Sequence, residues 1–289
     1  MHKDKYNAVW VSHSSMGDFL KCPRLYYLHN IYKDKNSRRK ISIVNPALSL
    51  GIAVHEVLEG LAKNRIKAED RFKKPLKEIL DKVWQKVSGK NGGFLNKDEE
   101  IEVKKRAENM LSRVENNPEP LLHKTVKLND GENGLPPNFL LSEEENIILC
   151  GKIDWLIYRP EDDSVHILDF KTGKNEEDGE SLQLPIYRLL LENLQKRKVN
   201  GASYWYIDRD NKPIEVLLPD KDESYNRVMK VAMKVKQARE EASNTSPDEV
   251  FLCPNGDKGC FYCKPFEKIL RGEALYIGSG EMNQDLYIV

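Results

Sequence analysis

Two short apolar runs in the middle of this sequence each carry one aspartate, and that pairing constrains the fold more than any other feature. The first run, 146–158, places Asp154 between Ile153 and Trp155, and the second, 165–171, places Asp169 between Leu168 and Phe170. Between them, Pro160-Glu161-Asp162-Asp163-Ser164 is turn chemistry. Two strands joined by such a turn form an antiparallel pair and bring Asp154 beside Asp169. Alternation along the second strand puts Asp169 and Lys171 on one face and Leu168 and Phe170 on the other. An ionised carboxylate in apolar surroundings is costly unless something positive compensates it. The pair therefore asks for a cation, and two carboxylates beside a lysine suit phosphodiester hydrolysis: the carboxylates hold Mg²⁺ or Mn²⁺ while the ammonium orients or deprotonates the attacking water. Taken singly, the commoner readings are a surface Asp/Lys pair on a strand edge and, for Asp154, a carboxylate facing solvent.

The flanking sequence supplies an α/β architecture. Helical spacing is found at 14–28, with Ser14 or Ser15 as N-cap and an interruption near Pro23, at 46–62, and in charged segments near 73–88 and 98–116. Strand composition is found at 122–126, 202–207 and 214–218. A helix should run from Ser181 toward Arg197, with Pro185 in its first turn, and another over 223–241. The expected fold is a mixed central sheet flanked by helices with a helical N-terminal elaboration. We expect one domain over 1–289: a helical part at 14–120, a catalytic sheet core at 121–220, and a C-terminal helix and cysteine site at 221–289.

No apolar run approaches the ~20 residues of a membrane span, and Met1-His2-Lys3-Asp4-Lys5-Tyr6 leads into no apolar signal region, so a cytoplasmic location is expected. Lys plus Arg and Asp plus Glu both number 46, so a polyanion would have to be held by local patches rather than by the overall field. Three basic stretches exist: Lys33, Lys35, Arg38, Arg39 and Lys40; Lys104, Lys105 and Arg106; and Lys196, Arg197 and Lys198. Each by itself reads as solvated surface. No G-x-x-x-x-G-K-[ST] is present, so the chain carries no helicase motif.

Gly51 and His55 stand four apart on a predicted helix and share a face, with Glu56 and Glu59 as alternative functional neighbours. Gln183 and Tyr187 likewise present an amide and a phenol on one helix face. A structural histidine and an ordinary amphipathic helix are the plain readings of these pairs. Five cysteines, an odd number, argue against a disulfide framework, and Cys260-Phe261-Tyr262-Cys263 is a C-x₂-C pair suited to a soft or borderline metal. Cys150 sits among apolar residues as a buried structural thiol.

The ordered set Gly51-x-x-x-His55, Gly151-x-x-Asp154, Asp169-x-Lys171 and Gln183-x-x-x-Tyr187 resembles the RecB-like branch of the PD-(D/E)XK nuclease superfamily, over roughly residues 14 to 270. The resemblance implies a restriction-endonuclease-like fold and a Mg²⁺- or Mn²⁺-dependent DNA exonuclease. It implies His55, Asp154 and Asp169 as metal ligands with the Phe170 carbonyl as a further one, Lys171 as the catalytic lysine, and Gln183 and Tyr187 as groups that position water and the DNA backbone. A helicase, recombination or CRISPR partner follows from the same likeness. Phe19-x-x-Cys22-Pro23-x-x-Tyr26 is also similar to the N-terminal segment of this branch, where the cysteine is a cluster ligand. Iron-bearing members join one N-terminal cysteine to three C-terminal ones around a [4Fe–4S] cluster, and Cys22, Cys253, Cys260 and Cys263 make four. The extra cysteine here precedes the C-x₂-C pair instead of following it, and zinc or free thiols are the alternatives. Rival functions are a non-catalytic nucleic-acid-binding subunit, against which the intact Asp169-x-Lys171 argues, and a zinc-stabilised adaptor, which leaves Asp154 and Lys171 without a purpose.

Overall fold

Chain entry is set by hydrogen bonding at Ser12 and by a proline. The computed structural model describes residues 7–62, 66–280 and 282–289. After strand β1 (Val9–Val11), helix α1 (His13–Lys21) is capped by Ser12, whose hydroxyl accepts the Ser15 N–H while the Ser15 hydroxyl accepts the Ser12 N–H. The cap is thus Ser12, earlier than Ser14 or Ser15, because only Ser12 has the extended backbone that this reciprocal pair requires. Cys22 is extended and Pro23 has no N–H to offer, so the helix breaks and restarts as α2 (Pro23–Tyr26), followed by a wider turn over Tyr27–Ile31.

Strand β2 (Lys40–Ile43) precedes α3 (Pro46–Gly60), which has Asn45 as its cap and proline in its first turn. With α4 (Leu76–Trp84) and α5 (Lys97–Asn116) it forms one helical layer. Strands β3 (Asn138–Ser142), β4 (Ile147–Cys150), β5 (Trp155–Arg159) and β6 (Ser164–Lys171) follow, then α6 (Gln183–Leu194), β7 (Lys198–Tyr206), β8 (Ile214–Val216), α7 (Lys221–Asn244), α8 (Pro247–Val250), α9 (Lys264–Leu270), β9 (Leu275–Ser279) and β10 (Gln284–Ile288).

The main sheet has the order β5-β6-β7-β8. The β5–β6 pair is antiparallel, as its turn predicts, with Trp155 opposite Leu168 and Arg159 opposite Ser164. β6 and β7 are parallel, with α6 in the crossover, and β8 returns antiparallel, so the sheet is mixed as expected. Val165 and Ile167 pack toward Ile186 and Leu190 of α6 and Val228 of α7. Leu168 and Phe170 pack the other way, against Val54 and Leu58 of α3 and Met110 and Val114 of α5. Helices thus flank both faces, a restriction-endonuclease-like α/β arrangement. Two smaller sheets, β1-β4-β3 and β2-β10-β9, flank it. Among the described residues no helix is long and apolar enough to cross a membrane.

The run 146–158 is not one strand. It leaves the β1-β4-β3 sheet at Cys150 and enters the main sheet at Trp155, crossing between them over 151–154. The crossing presses against α6: a Cβ on Gly151 would stand 3.0 Å from the Leu190 Cδ1. The segment 122–126 joins β5 only through a bridge between Thr125 and Ile157. Cys150 is half-buried, with its thiol against the Val11 carbonyl. The basic stretches are partly taken up in ion pairs, Arg39 with Asp285, Lys104 with Asp81, Arg106 with Asp208 and Arg197 with Asp163.

Candidate functional site

The break at 151–154 frees Asp154 from the sheet ladder. Its Oδ2 accepts the Phe170 N–H at 3.0 Å, taking the place that the next residue of β5 would have filled. Asp154 is thereby fastened to the end of β6 between Asp169 and Lys171. Asp169, only 2% exposed, accepts the Tyr187 hydroxyl at 2.9 Å and faces the Lys171 Nζ at 2.9 Å. Burial and the neighbouring Asp154 charge push the Asp169 carboxyl up to about 6. Gln183 closes a ring, donating from Nε2 to the Tyr187 oxygen at 3.1 Å and accepting from Lys171 through Oε1. Gln183 and Tyr187 thus occupy one helix face, as their spacing predicts, and that face is turned to the two residues of the strand end.

Lys171 has a third acceptor, Glu177 Oε2 at 2.8 Å, and lies 4.6 Å over the Tyr204 ring. Burial alone would lower its pKa, but Asp169 and Glu177 outweigh that and hold it above the ordinary lysine range. The ammonium is a fixed cation with a defined direction. Glu177 carries no signal in the sequence, because it stands in a polar loop with no helical or strand period. His13, at the start of α1, is a second unannounced neighbour, its Nε2 3.3 Å from the Ser181 hydroxyl. Burial lowers its pKa below the ordinary histidine value although Glu177 works the other way.

From the opposite layer, α3 reaches the same strand end. A Cβ at Gly51 would lie 3.3 Å from the Thr172 Oγ1, so a small residue lets the helix sit close against the residues after β6. One turn on, the His55 Nδ1 is 3.3 Å from the Asp154 Oδ2. Burial would lower the His55 pKa, but Asp154 reverses this and raises it. Glu59, the next turn of α3, completes a group: His55, Glu59 and Asp154 each offer a donor atom within 4.8 Å of the others. The Lys152 ammonium contacts Glu59. A nitrogen and two or three carboxylates fit a hard divalent cation. The ligand set expected from sequence, His55, Asp154 and Asp169, is brought to one strand end, with Glu59 beside it. Asp169 lies outside the closest donor group and is engaged by Tyr187 and Lys171.

The cysteines form a second group far away in sequence. Cys22 at the α1–α2 break, Cys253 after α8, and Cys260 and Cys263 before α9 place four sulfurs within 4.8 Å of one another. Cys22 and Cys263 are fully buried, in a small core with Leu25, Leu28, Ile41, Phe266 and Ile269. Burial pushes the Cys22 thiol up to about 11. It would raise Cys260 too, but the Cys263 and Tyr262 backbone N–H groups bring that thiol down to about 7. Four converging thiols with one already acidified fit a thiolate-bound metal.

With this geometry in hand, the family model of the PD-(D/E)XK nuclease superfamily matches residues 10–265, most of the chain and all of both groups. No curated protein matches it.

Proposed function

Because the chain belongs to the PD-(D/E)XK nuclease superfamily, we propose that it hydrolyses DNA phosphodiesters with Mg²⁺ or Mn²⁺, as an exonuclease on ends or single strands, through a His-Asp-Asp-Lys site. The observation that carries this reading is the juxtaposition of Asp154, Asp169 and a trapped Lys171 at one strand end. Asp154 and Asp169, with His55, Glu59 and the Phe170 carbonyl, would hold the cation. The cation supplies charge to polarise the phosphoryl group and to acidify water. Lys171, aimed by Asp169, Glu177 and Gln183, orients the attacking water and places its positive charge where negative charge grows on the phosphoryl oxygens. Tyr187 and Gln183 keep Asp169 and Lys171 in register. A helicase, recombination or CRISPR partner would direct the activity to its substrate.

The four cysteines would hold a [4Fe–4S] cluster that fastens the two ends of the chain. Zinc is the second reading, favoured by the 3.7 Å between the Cys260 and Cys263 sulfurs, close to the ~3.8 Å edge of a tetrahedron with ~2.3 Å metal–sulfur bonds. The deciding experiment is digestion of end-labelled single- and double-stranded DNA with and without Mg²⁺ or Mn²⁺. Cation-dependent shortening from an end supports the reading, and intact DNA under all conditions overturns it.

A further inference from the structure

The loop between Cys260 and Cys263 presents two aromatic rings to solvent. Phe261 is 87% exposed and Tyr262 43%, with ring centroids 5.5 Å apart and planes at 80°. Their neighbour Cys263 is fully buried and its Sγ accepts the Cys260 N–H at 3.3 Å, so the rings project from an anchored base. The patch is not purely apolar. The Lys21 ammonium stands 5.7 Å from the Tyr262 ring centre. Lys258 and Lys264 flank the loop, both exposed and neither in an ion pair with another described residue, against a single carboxylate, Asp257, within 256–264. Exposed ring faces among unspent cations match a polyanion whose units carry flat π-surfaces, and an apolar protein partner would not use the charge.

Helix α1 connects this patch to the nuclease site. Its first residue, His13, hydrogen-bonds Ser181 beside the Glu177–Lys171 pair, and its last, Lys21, reaches Tyr262. Eight residue steps at ~1.5 Å make about 12 Å, roughly three to four base spacings of a stacked strand. Ser14, Gly17 and Lys21 lie along one side of that helix, and a Cβ at Gly17 would meet nothing within 4 Å, so this side is open.

We propose that Phe261 and Tyr262 form a base-stacking platform for single-stranded nucleic acid, which runs along α1 from the cysteine loop to Lys171. The inference deepens the nuclease reading by naming its substrate as a single strand several nucleotides long, and it rests on that reading only for the direction of the track.

The test uses the whole protein with Phe261→Leu and Tyr262→Leu together, which keeps apolar bulk and removes the rings. Fluorescein-labelled oligo(dT) binding is measured by anisotropy without added divalent cation, and stacking by quenching of an oligonucleotide carrying 2-aminopurine. Stacking is worth ~1–3 kcal/mol per base on alanine substitution. The double variant should accordingly bind at least about ten-fold more weakly and lose the quenching, while hydrolysing bis(p-nitrophenyl) phosphate, too small to reach the loop, at the wild-type rate. Phe261→Leu alone, at a site with almost no buried surface, should show part of both losses with unchanged melting, which guards against a folding defect in the double variant. Equal affinity of wild type and the Leu variants, absence of quenching in wild type, or no binding of the oligonucleotide at all overturns the platform. Binding and quenching without hydrolysis of any phosphodiester overturns the nuclease reading and leaves the platform standing.

Discussion

Asp169 is held in the folded chain at a cost, and replacing it with asparagine should expose that cost. Its carboxyl is raised from 3.8 to about 6 by burial and by Asp154, although Lys171 pulls the other way. At ~1.4 kcal/mol per pKa unit, ionising it in the folded protein near pH 7.5 costs up to about 3 kcal/mol relative to the unfolded chain. Asparagine fills the same volume, still accepts the Tyr187 hydroxyl, and carries no charge. Without metal, Asp169→Asn should therefore be more stable than wild type by roughly 1–3 kcal/mol at pH 7.5, a rise of several degrees in melting temperature. The folded pKa lies above the unfolded one, so the stability that Asp169 contributes is complete below about pH 4 and is lost as pH climbs through about 6. The advantage of the variant should thus vanish near pH 4 and be full above pH 7. Added Mn²⁺ should raise the melting temperature of wild type only, and the variant should have lost DNA cleavage. Scanning calorimetry at pH 4, 6 and 7.5, with and without Mn²⁺, reads the stabilities, and digestion of end-labelled DNA reads the cleavage. A variant no more stable than wild type at pH 7.5, or a gap independent of pH, would refute the account of Asp169 as a charge waiting for a cation.

Four further outcomes are expected. Asp154→Ala should weaken Mn²⁺ binding, whereas Lys171→Ala should keep metal and DNA binding and lose the chemical step, as calorimetric titration beside single-turnover cleavage would show. Excess EDTA should stop cleavage, and binding should weaken with added salt because each Lys or Arg contact to a phosphate releases a counterion; turnover in excess EDTA counts against the metal mechanism. Glu177→Gln should lower the cleavage rate more than DNA affinity, since it loosens one of three anchors on Lys171; an unchanged rate removes Glu177 from the positioning set. Cys22→Ala should lose the metal found by elemental analysis, and with it the ~400 nm absorbance if the centre is iron–sulfur, and should melt well below wild type.

The parts of the fold and site that were legible in the sequence are those whose signal is local. The turn at 160–164 fixed the β5–β6 pairing, and period-two alternation put Asp169 with Lys171. The i, i+4 spacings set Gly51 under His55 and Gln183 under Tyr187. What escaped depends on contacts distant in sequence. The run 146–158 is uniformly strand-like, and only its partners, β1 and β3 up to Cys150 and β6 from Trp155, reveal that it passes from one sheet to another. Glu177 is recognisable only once the loop after β6 folds back on Lys171. Glu59 was one of two candidates on α3, and only the position of the helix against β6 separates it from Glu56, which pairs with Lys86 instead. The strands β1, β2, β9 and β10 are three to five residues long, too short to show a period without their partners.

The parallel pairing of β2 with β10, Lys40 opposite Gln284 and Ile43 opposite Tyr287, imposes an order of events on the ribosome. At ~5–20 residues per second, β10 emerges tens of seconds after β2 at the slower rate and about ten at the faster. Throughout that interval β2 lacks its partner strand, and for most of it, until Cys253, Cys260 and Cys263 emerge shortly before β10, Cys22 has none of its three sulfur partners. The main sheet and its two helical layers can assemble meanwhile, so the nuclease core would precede the closure that anchors α1 at its Cys22 end. Closure then spans most of the chain in one step, the slow, long-range kind of contact formation, and it is the step that brings the four thiols together.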